Sequence, residues 1–198
     1  DGKIAWIGFA ADLPKPADEL AHEVRRCDNA WITPGLIECH THLVFGGNRA
    51  REFEMRLEGA SYEDIARAGG GIVSSVRGTR AADEADLLSD ALRRVDHLLA
   101  EGVTTLEIKS GYGLDVESEM KMLRVARLIG ERRPVHVQTT WLAAHALPPE
   151  YADDRAGYIR DVVISGMEAA HAEDLIDAVD GFCEGIAYSA AEMAAIFD

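Results

Sequence analysis

Two histidines separated by one residue, His40 and His42, are the side chains best suited to chemistry in this chain. They follow the apolar run Leu36–Cys39, which predicts a short strand. Because alternate residues of a strand point to the same side, both imidazoles would face one point. Neutral imidazole binds zinc and iron(II) well, so the pair predicts a divalent-metal site. The alternative is two polar residues at the start of a loop, each hydrogen-bonded locally.

Three further side chains could bind a ligand. Arg49 comes shortly after Gly46-Gly47, and an arginine fork can hold a carboxylate with two parallel hydrogen bonds, whereas a surface ion pair is the alternative. Tyr112 is flanked by glycines, which suits either an aromatic ring that caps a core or a hydroxyl presented to a ligand. His145 follows an apolar strand and precedes Pro148-Pro149, where a single histidine is more often structural. Residue type alone leaves both interpretations open at all three positions.

The elements that must position these residues alternate between strand and helix. The predicted strands are short, have polar residues at or just after their carboxyl ends, and are Leu36–Cys39, Val103–Lys109, Val135–Leu142 and Gly181–Glu184. The predicted helices have capping residues or apolar residues at helical spacing, and are Ser61–Ala68, Asp83–Glu101, Asp115–Ile129, Asp153–Ser165, Ala172–Val179 and Ala190–Phe197. This alternation predicts an α/β protein with a parallel sheet. Such proteins carry their sites at the carboxyl ends of the strands, where these polar residues fall.

Residues 1–33 have a different pattern. Lys3–Gly8 alternates loosely between apolar and polar residues, and Glu23–Cys27 is predicted as a second short strand. The segment Leu13-Pro14-Lys15-Pro16 between them predicts a turn or an extended loop, because proline sets φ and disfavours helix before it. These residues therefore predict a small β element.

The composition argues against several classes of partner. The 198 residues carry 35 acidic against 20 basic side chains, a formal charge of −15, which argues against nucleic acid and an anionic membrane surface. No apolar run reaches the roughly 20 residues that span a bilayer, and the N-terminus has no signal-peptide pattern. The cysteines Cys27, Cys39 and Cys183 form no CxxC pair, so we expect buried, reduced thiols in a cytoplasmic protein.

Five segments resemble one enzyme family, in the same order and over essentially the whole chain. PGLIECHTH at 34–42 resembles the first metal-binding strand of the amidohydrolase superfamily. The segments after it are similar to the imidazolonepropionase family within that superfamily, and they are LVFGGNR at 43–49, GGGI at 69–72, EIKSGYGL at 107–114 and AAHA at 143–146. A single HxH pair is generic, whereas five motifs in the same order make the resemblance specific.

The resemblance implies a fold and a reaction. The fold would be the first half of a metal-dependent (β/α)8 TIM barrel, preceded by part of a small β-sandwich domain. Residues 1–33 would belong to the sandwich, and residues 34–198 would form the first four βα units of the barrel. The reaction would be hydrolysis of the cyclic amide of 4-imidazolone-5-propanoate to N-formimidoyl-L-glutamate, a step of histidine breakdown.

The resemblance also implies roles for the candidate residues. His40 and His42 would hold one divalent metal, zinc or iron. Arg49 would bind the propionate group of the small anionic heterocycle, and Tyr112 and His145 would contact its ring. A homodimer is left open.

The remaining parts of the family's site would lie beyond Asp198. They are a metal-binding His after the fifth strand, a metal-binding Asp after the eighth, and the acid/base residues. The catalytic residues are therefore unknown in this chain, and we expect residues 1–198 alone to be inactive. The alternatives are a related amidohydrolase or deaminase acting on another heterocycle, and an inactive metal- or ligand-binding module. An anchor for an anion at Arg49 argues against neutral nucleobases as substrates.

Two further residues at strand ends keep alternative roles. A carboxylated lysine bridges two metals in some amidohydrolases, but that lysine belongs to the fourth strand, whereas Lys109 ends the predicted second strand. Glu184 ends the predicted fourth strand, where contact with a second metal is less favoured than a structural or hydrogen-bond-accepting carboxylate. The sequence leaves both roles open.

Overall fold

The structure is a computed structural model that describes residues 3–61, 64 and 69–198. The chain divides into two units, Asp1–Pro34 and Gly35–Asp198. The predicted helix Ser61–Ala68 lies, apart from residues 61 and 64, outside the described residues.

A parallel sheet forms the centre of the second unit. Within the described residues its strands are β1 Leu36–Thr41, β2 Val103–Lys109, β3 His136–Trp141 and β4 Ala178–Val179. They lie in the order β1-β2-β3-β4, and each neighbouring pair runs parallel. The predicted α/β class with a parallel sheet is therefore confirmed, and the first three predicted strands lie within two residues of their predicted ends.

Helices connect the strands. In the second unit, within the described residues, the helices are α1 Ala50–Leu57, α2 Ile72–Ala81, α3 Glu84–Ala100, α4 Val116–Arg132, α5 Arg155–Tyr158, α6 Ser165–Ala172 and α7 Ala190–Phe197. A π-helical segment, Ile159–Ile164, joins α5 to α6. The predicted helices Asp83–Glu101, Asp115–Ile129 and Ala190–Phe197 are confirmed. None of the described helices is both long and apolar enough to cross a bilayer.

Capping residues begin the two long helices. The Asp83 carboxylate accepts a hydrogen bond from the N–H of Asp86 (2.8 Å) at the start of α3. Asp115 does the same with the N–H of Ser118 (2.7 Å) at the start of α4. Each cap satisfies one of the amide groups that a first helical turn leaves without a partner. These local signals explain why both helices begin where the sequence predicts.

The two faces of β2 differ in character. Leu106 and Ile108 are buried in an apolar cluster formed with α3, α4 and β3. Since successive side chains of a strand point to opposite faces, Glu107 and Lys109 lie on the other face. The helices therefore cover the apolar face of β2 and leave the polar face for the site.

A second apolar cluster surrounds Trp141 at the carboxyl end of β3 and includes Tyr158 and Tyr188. Trp141 is fully buried, and its indole N–H donates to the Val163 carbonyl (3.0 Å). Gly166 of α6 lies against the indole, where a Cβ would come within 2.7 Å of the ring. This packing fixes the end of β3 against the helical segment.

The predicted fourth strand, Gly181–Glu184, is wrong, and so is the predicted helix Ala172–Val179. After the end of α6, Asp174 adopts a positive φ of 57° that turns the chain. The N–H of Asp177 then donates to the Thr139 carbonyl (2.9 Å), and its carboxylate accepts from the Thr139 N–H (2.8 Å). The chain joins β3 earlier than predicted because these long-range hydrogen bonds outweigh the local helical pattern.

Residues 3–34 contain a 3-10 turn at Ala10–Asp12 and a short helix at Ala17–Leu20. The predicted strands Lys3–Gly8 and Glu23–Cys27 are not strands in this unit. A strand needs a neighbour that pairs with its backbone N–H and C=O groups, and the described residues of the unit provide none. The β-sandwich stays a prediction.

All three cysteines, Cys27, Cys39 and Cys183, are free and exposed. Their predicted burial is wrong, because none of these positions contributes to either apolar cluster. Cys39 lies on the exposed part of β1, and Cys183 lies in the loop after β4.

Replacement of Trp141 tests the packing at the end of β3. Trp141→Ala is expected to lower the free energy of unfolding by about 3–5 kcal/mol, because it opens a large cavity and removes the donor to the Val163 carbonyl. Trp31→Ala is the control, because Trp31 is 95% exposed. Urea unfolding followed by circular dichroism measures both variants. Equal destabilisation by the two substitutions would contradict the packing.

Candidate active site

The carboxyl ends of β1, β2 and β3 bring four predicted site residues into one aromatic cluster. The ring centre of His42 lies 5.7 Å from that of His40, 4.9 Å from that of Tyr112 and 4.9 Å from that of His145. The rings of His42 and His145 are nearly parallel, with an angle of 9° between their planes. Side chains that follow three neighbouring strands therefore converge on His42.

His40 lies in β1 at an irregularity in the pairing with β2, and His42 is the first residue after the strand. The residue pairs on either side of the irregularity are Glu38 with Leu106 and Thr41 with Ile108. β1 therefore has one residue more than β2 over this stretch, and such a β-bulge changes the direction of the side chains around it. The two imidazole rings meet at 61° instead of lying parallel.

His42 has the properties that a metal ligand requires. Its Nδ1 is buried and has no hydrogen-bond partner among the described residues. Burial, followed by the nearby rings of His145 and His40, lowers the pKa of His42 to about 4, which keeps the imidazole neutral at pH 7. A neutral ring with a buried, unpaired nitrogen fits a metal ligand. The described residues hold no group of three or more His, Cys, Asp or Glu side chains that could bind a metal ion, so the histidine pair would supply part of a ligand set.

Arg49 immediately precedes α1 and faces the same cleft. It lines a cavity of about 390 Å³ together with His42 and Tyr112. Its Nε and Nη2 donate to the Ser75 hydroxyl of α2, at 3.1 and 3.0 Å. Its side chain stays 43% exposed. The guanidinium is thus held in place by α2 and remains accessible to an anion.

The loop before Arg49 is held by α2. Gly46 packs so closely on Gly78 that a Cβ at Gly46 would collide with the Gly78 carbonyl. The Gly46 N–H also donates to the Thr79 hydroxyl (3.0 Å). Glycine is therefore needed at Gly46 for this helix contact.

Arg94 of α3 supports the same loop from the other side. It donates to the Leu43 carbonyl (2.8 Å), and its guanidinium carbon lies 3.7 Å from the centre of the Phe45 ring. Arg94 also lines the cavity beside Arg49. Sequence reasoning missed it, because an arginine within a helix has the pattern of a solvated residue.

Tyr112 and His145 are connected through the backbone of Gly111. The ring Nδ1 of His145 donates to the Gly111 carbonyl at 2.8 Å. A carbonyl oxygen can only accept, so Nδ1 carries the hydrogen and Nε2 is the nitrogen left for a ligand. Gly111 has a φ of 105°, and a Cβ there would lie 2.9 Å from His145 Nδ1. Glycine is therefore required for this contact.

An ion cluster around the buried Lys109, which sequence reasoning missed, connects β2 with the end of β4. The Lys109 Nζ lies 2.7 Å from Glu107 Oε1 and 3.0 Å from Asp180 Oδ2. The Thr140 hydroxyl donates to the same Glu107 oxygen (2.6 Å). Burial acts to lower the pKa of Lys109, but the hydrogen bonds to both carboxylates raise it above its usual value, so the amine is protonated. The two ion pairs give Lys109 an ionic role in the structure, and the less favoured bridging role stays a prediction.

Glu184 does not join this cluster. It is exposed and lines a separate cleft with Arg155 and Cys183. The carboxylate at the end of β4 is Asp180 instead, because the strand ends at Val179. The error in the predicted strand end therefore selected the wrong acidic residue.

The amino-acid sequence is similar to proteins that share one name, although no family model matches the chain. The chain is 72% identical over 198 residues to an imidazolonepropionase of Paracoccus denitrificans and covers 49% of that protein. It is 61% identical over 199 residues to one of Agrobacterium fabrum, covering 47%, and 59% identical over 197 residues to one of Roseobacter denitrificans, covering 49%. The chain thus spans about half the length of the curated relatives it matches. These identities extend over 99–100% of its residues, so the chain is similar over its whole length to members of the imidazolonepropionase family.

Proposed function

We propose that this chain provides part of the active site of an imidazolonepropionase. The reaction is hydrolysis of the cyclic amide of 4-imidazolone-5-propanoate to N-formimidoyl-L-glutamate in histidine breakdown. The observation that carries the proposal is the convergence of His42, Tyr112 and His145 beside Arg49, in a chain similar to this family. A related hydrolase or deaminase acting on a neutral heterocycle is not favoured, because it would not use the Arg49 cation.

The wider architecture of the proposal is a (β/α)8 barrel with a small β-sandwich. Residues 34–198 would form the first four βα units, and residues 1–33 would be part of the sandwich. The sequential order of the parallel strands, β1 to β4, supports the barrel, since each strand of such a barrel pairs with the next along the chain. We place the protein in the cytoplasm.

His40 and His42 would hold one divalent metal, zinc or iron. When bound, such an ion would supply the chemistry that makes water nucleophilic at neutral pH. The chain itself would keep His42 neutral through burial and would hold both imidazoles at the carboxyl end of β1.

The remaining side chains would bind and orient the substrate. Arg49 would pair with the propionate, because its guanidinium is anchored on Ser75 yet half exposed in the cleft. Tyr112 and His145 would contact the imidazolone ring, with His145 presenting Nε2 because Nδ1 is occupied by the Gly111 carbonyl. The positive charge of Arg49 would thus orient the bound substrate, with its propionate toward Arg49 and its ring toward Tyr112 and His145.

Replacement of Arg49 tests the anchor. In the full-length protein, Arg49→Ala is expected to lower kcat/KM for 4-imidazolone-5-propanoate by about ten- to a hundredfold, because charge-assisted hydrogen bonds to the carboxylate are lost. Arg93→Ala is the matched control, since Arg93 is exposed on α3. The assay follows the loss of substrate absorbance and the appearance of N-formimidoyl-L-glutamate. Wild-type kinetics in the Arg49 variant would assign this residue to the surface.

Replacement of the histidine pair tests the metal site. His40→Ala and His42→Ala in the full-length protein should each lower the metal content and the turnover together, because each removes a ligand. His171→Ala serves as the control, since His171 is exposed at the end of α6. Elemental analysis of the purified variants measures zinc and iron. Full metal occupancy in both site variants would contradict the assignment.

Expression of residues 1–198 alone tests which functions this segment has by itself. The segment is expected not to hydrolyse the substrate, because the described residues offer no complete set of metal ligands. It is also expected to self-associate, since Leu36 and Ile37 leave apolar surface exposed on β1. Metal-supplemented assays and sedimentation velocity measure the two properties. A monomer with the turnover of a full-length relative would contradict the proposed division of the site.

A further inference from the structure

Glu119 is a buried carboxylate that the proposed reaction does not use. It lies in the first turn of α4, and its exposed fraction is 0%. A carboxylate in such a place is unfavourable unless hydrogen bonds replace the water that it loses. The groups that supply these hydrogen bonds show what the residue does.

Backbone N–H groups of the loop before α4 surround the Glu119 carboxylate. The N–H of Gly111 donates to Oε2 at 2.6 Å, and those of Gly113 and Leu114 donate to Oε1 at 2.7 Å each. The Ser110 hydroxyl forms a further hydrogen bond with the same carboxylate. The loop is therefore wrapped around a single side chain.

The loop has a conformation that requires such support. Leu114 has a φ of 54°, a value that residues with a side chain rarely adopt. On the outside of the loop, Arg80 donates to the carbonyls of Gly113 (2.7 Å) and Leu114 (3.1 Å). N–H groups thus point inward to Glu119 and carbonyls outward to Arg80, so the carboxylate is the common partner of the inward groups.

Two proposed substrate contacts depend on this loop. Tyr112 lies between the two glycines whose N–H groups Glu119 holds. His145 donates from Nδ1 to the carbonyl of Gly111, so the position of Gly111 decides which ring nitrogen of His145 faces the cleft. One carboxylate, which does not itself line the cavity of Arg49 and Tyr112, is connected to both.

We propose that Glu119 is a positioning residue of the active site, which holds residues 110–114 in the shape that presents Tyr112 and orients His145. Glu119 touches no substrate and acts only through these two side chains. The inference rests on the proposed function, because substrate contact by Tyr112 and His145 belongs to that proposal.

Glu119→Gln in the full-length protein is the test. The Gln side chain has one oxygen that can still accept hydrogen bonds and one NH₂ group that cannot. In one orientation the NH₂ group would face the N–H of Gly111, and in the other it would face the N–H groups of Gly113 and Leu114. The expected result is a loss of about tenfold or more in kcat/KM for 4-imidazolone-5-propanoate, with a raised KM and unchanged metal content. Glu117→Gln, two residues away and exposed on the same helix, is the matched control and should behave as wild type.

Two measurements separate positioning from general loss of structure. In a His145→Ala background the loss caused by Glu119→Gln should become at least about threefold smaller, because residues that act through each other are not additive. The ¹⁵N shifts of the His145 ring should report hydrogen on Nδ1 in the wild type and a mixture of tautomers in Glu119→Gln. An equal loss in both backgrounds, or an unchanged His145 tautomer, overturns the proposal.

The outcomes also separate this inference from the proposed function. If the unsubstituted protein does not turn over the substrate, the proposed function fails, and the tautomer of His145 alone decides the role of Glu119. If Glu119→Gln does not fold, Glu119→Asp replaces it in both measurements, because the shorter side chain keeps the charge but draws the carboxylate away from the N–H groups of Gly111 and Gly113. Wild-type kinetics and tautomer in Glu119→Asp would then count against the proposal.

Discussion

Parallel pairing of β1, β2 and β3 is the constraint on which the site depends. In a parallel sheet all strands end at the same edge, so the loops that follow neighbouring strands must meet there. His42, Tyr112 and His145 each follow a different strand, and their ring centres lie 4.9 to 5.4 Å apart. α3 and α4 maintain this arrangement by burying the apolar face of β2, which leaves the opposite face to charged residues.

Buried polar groups position the parts of this site, and almost all of them are paired. Lys109 lies between Glu107 and Asp180, and Glu119 gathers the N–H groups of a loop. The desolvation of a charge is so unfavourable that such groups persist only where hydrogen bonds compensate for it. Among the described residues, the Nδ1 of His42 is the buried side-chain atom left without a hydrogen-bond partner. An unpaired nitrogen in otherwise satisfied surroundings is the strongest local support for a ligand at this position.

The elements predicted correctly are those with strong local signals. β2 matches its predicted range because Val103–Lys109 is rich in β-branched residues, and α3 and α4 begin at the predicted capping residues Asp83 and Asp115. β4 was placed wrongly because its position depends on pairing between Asp177 and Thr139, which are distant in the chain. Because of that error, the sequence predicts Glu184 as the carboxylate at the strand end, whereas the structure has Asp180 there.

Residue type and spacing are enough to predict the α/β class, the strand ends that carry histidines, and the segments that resemble a known family. The contacts that hold these residues in place are visible only in three dimensions. The carboxylate of Glu119 looks like an ordinary surface charge in the sequence, and nothing there shows that the ammonium of Lys109 pairs with Glu107 and Asp180. Their burial and their partners arise from contacts between separate strands and loops, and neither composition nor periodicity records which distant groups will meet.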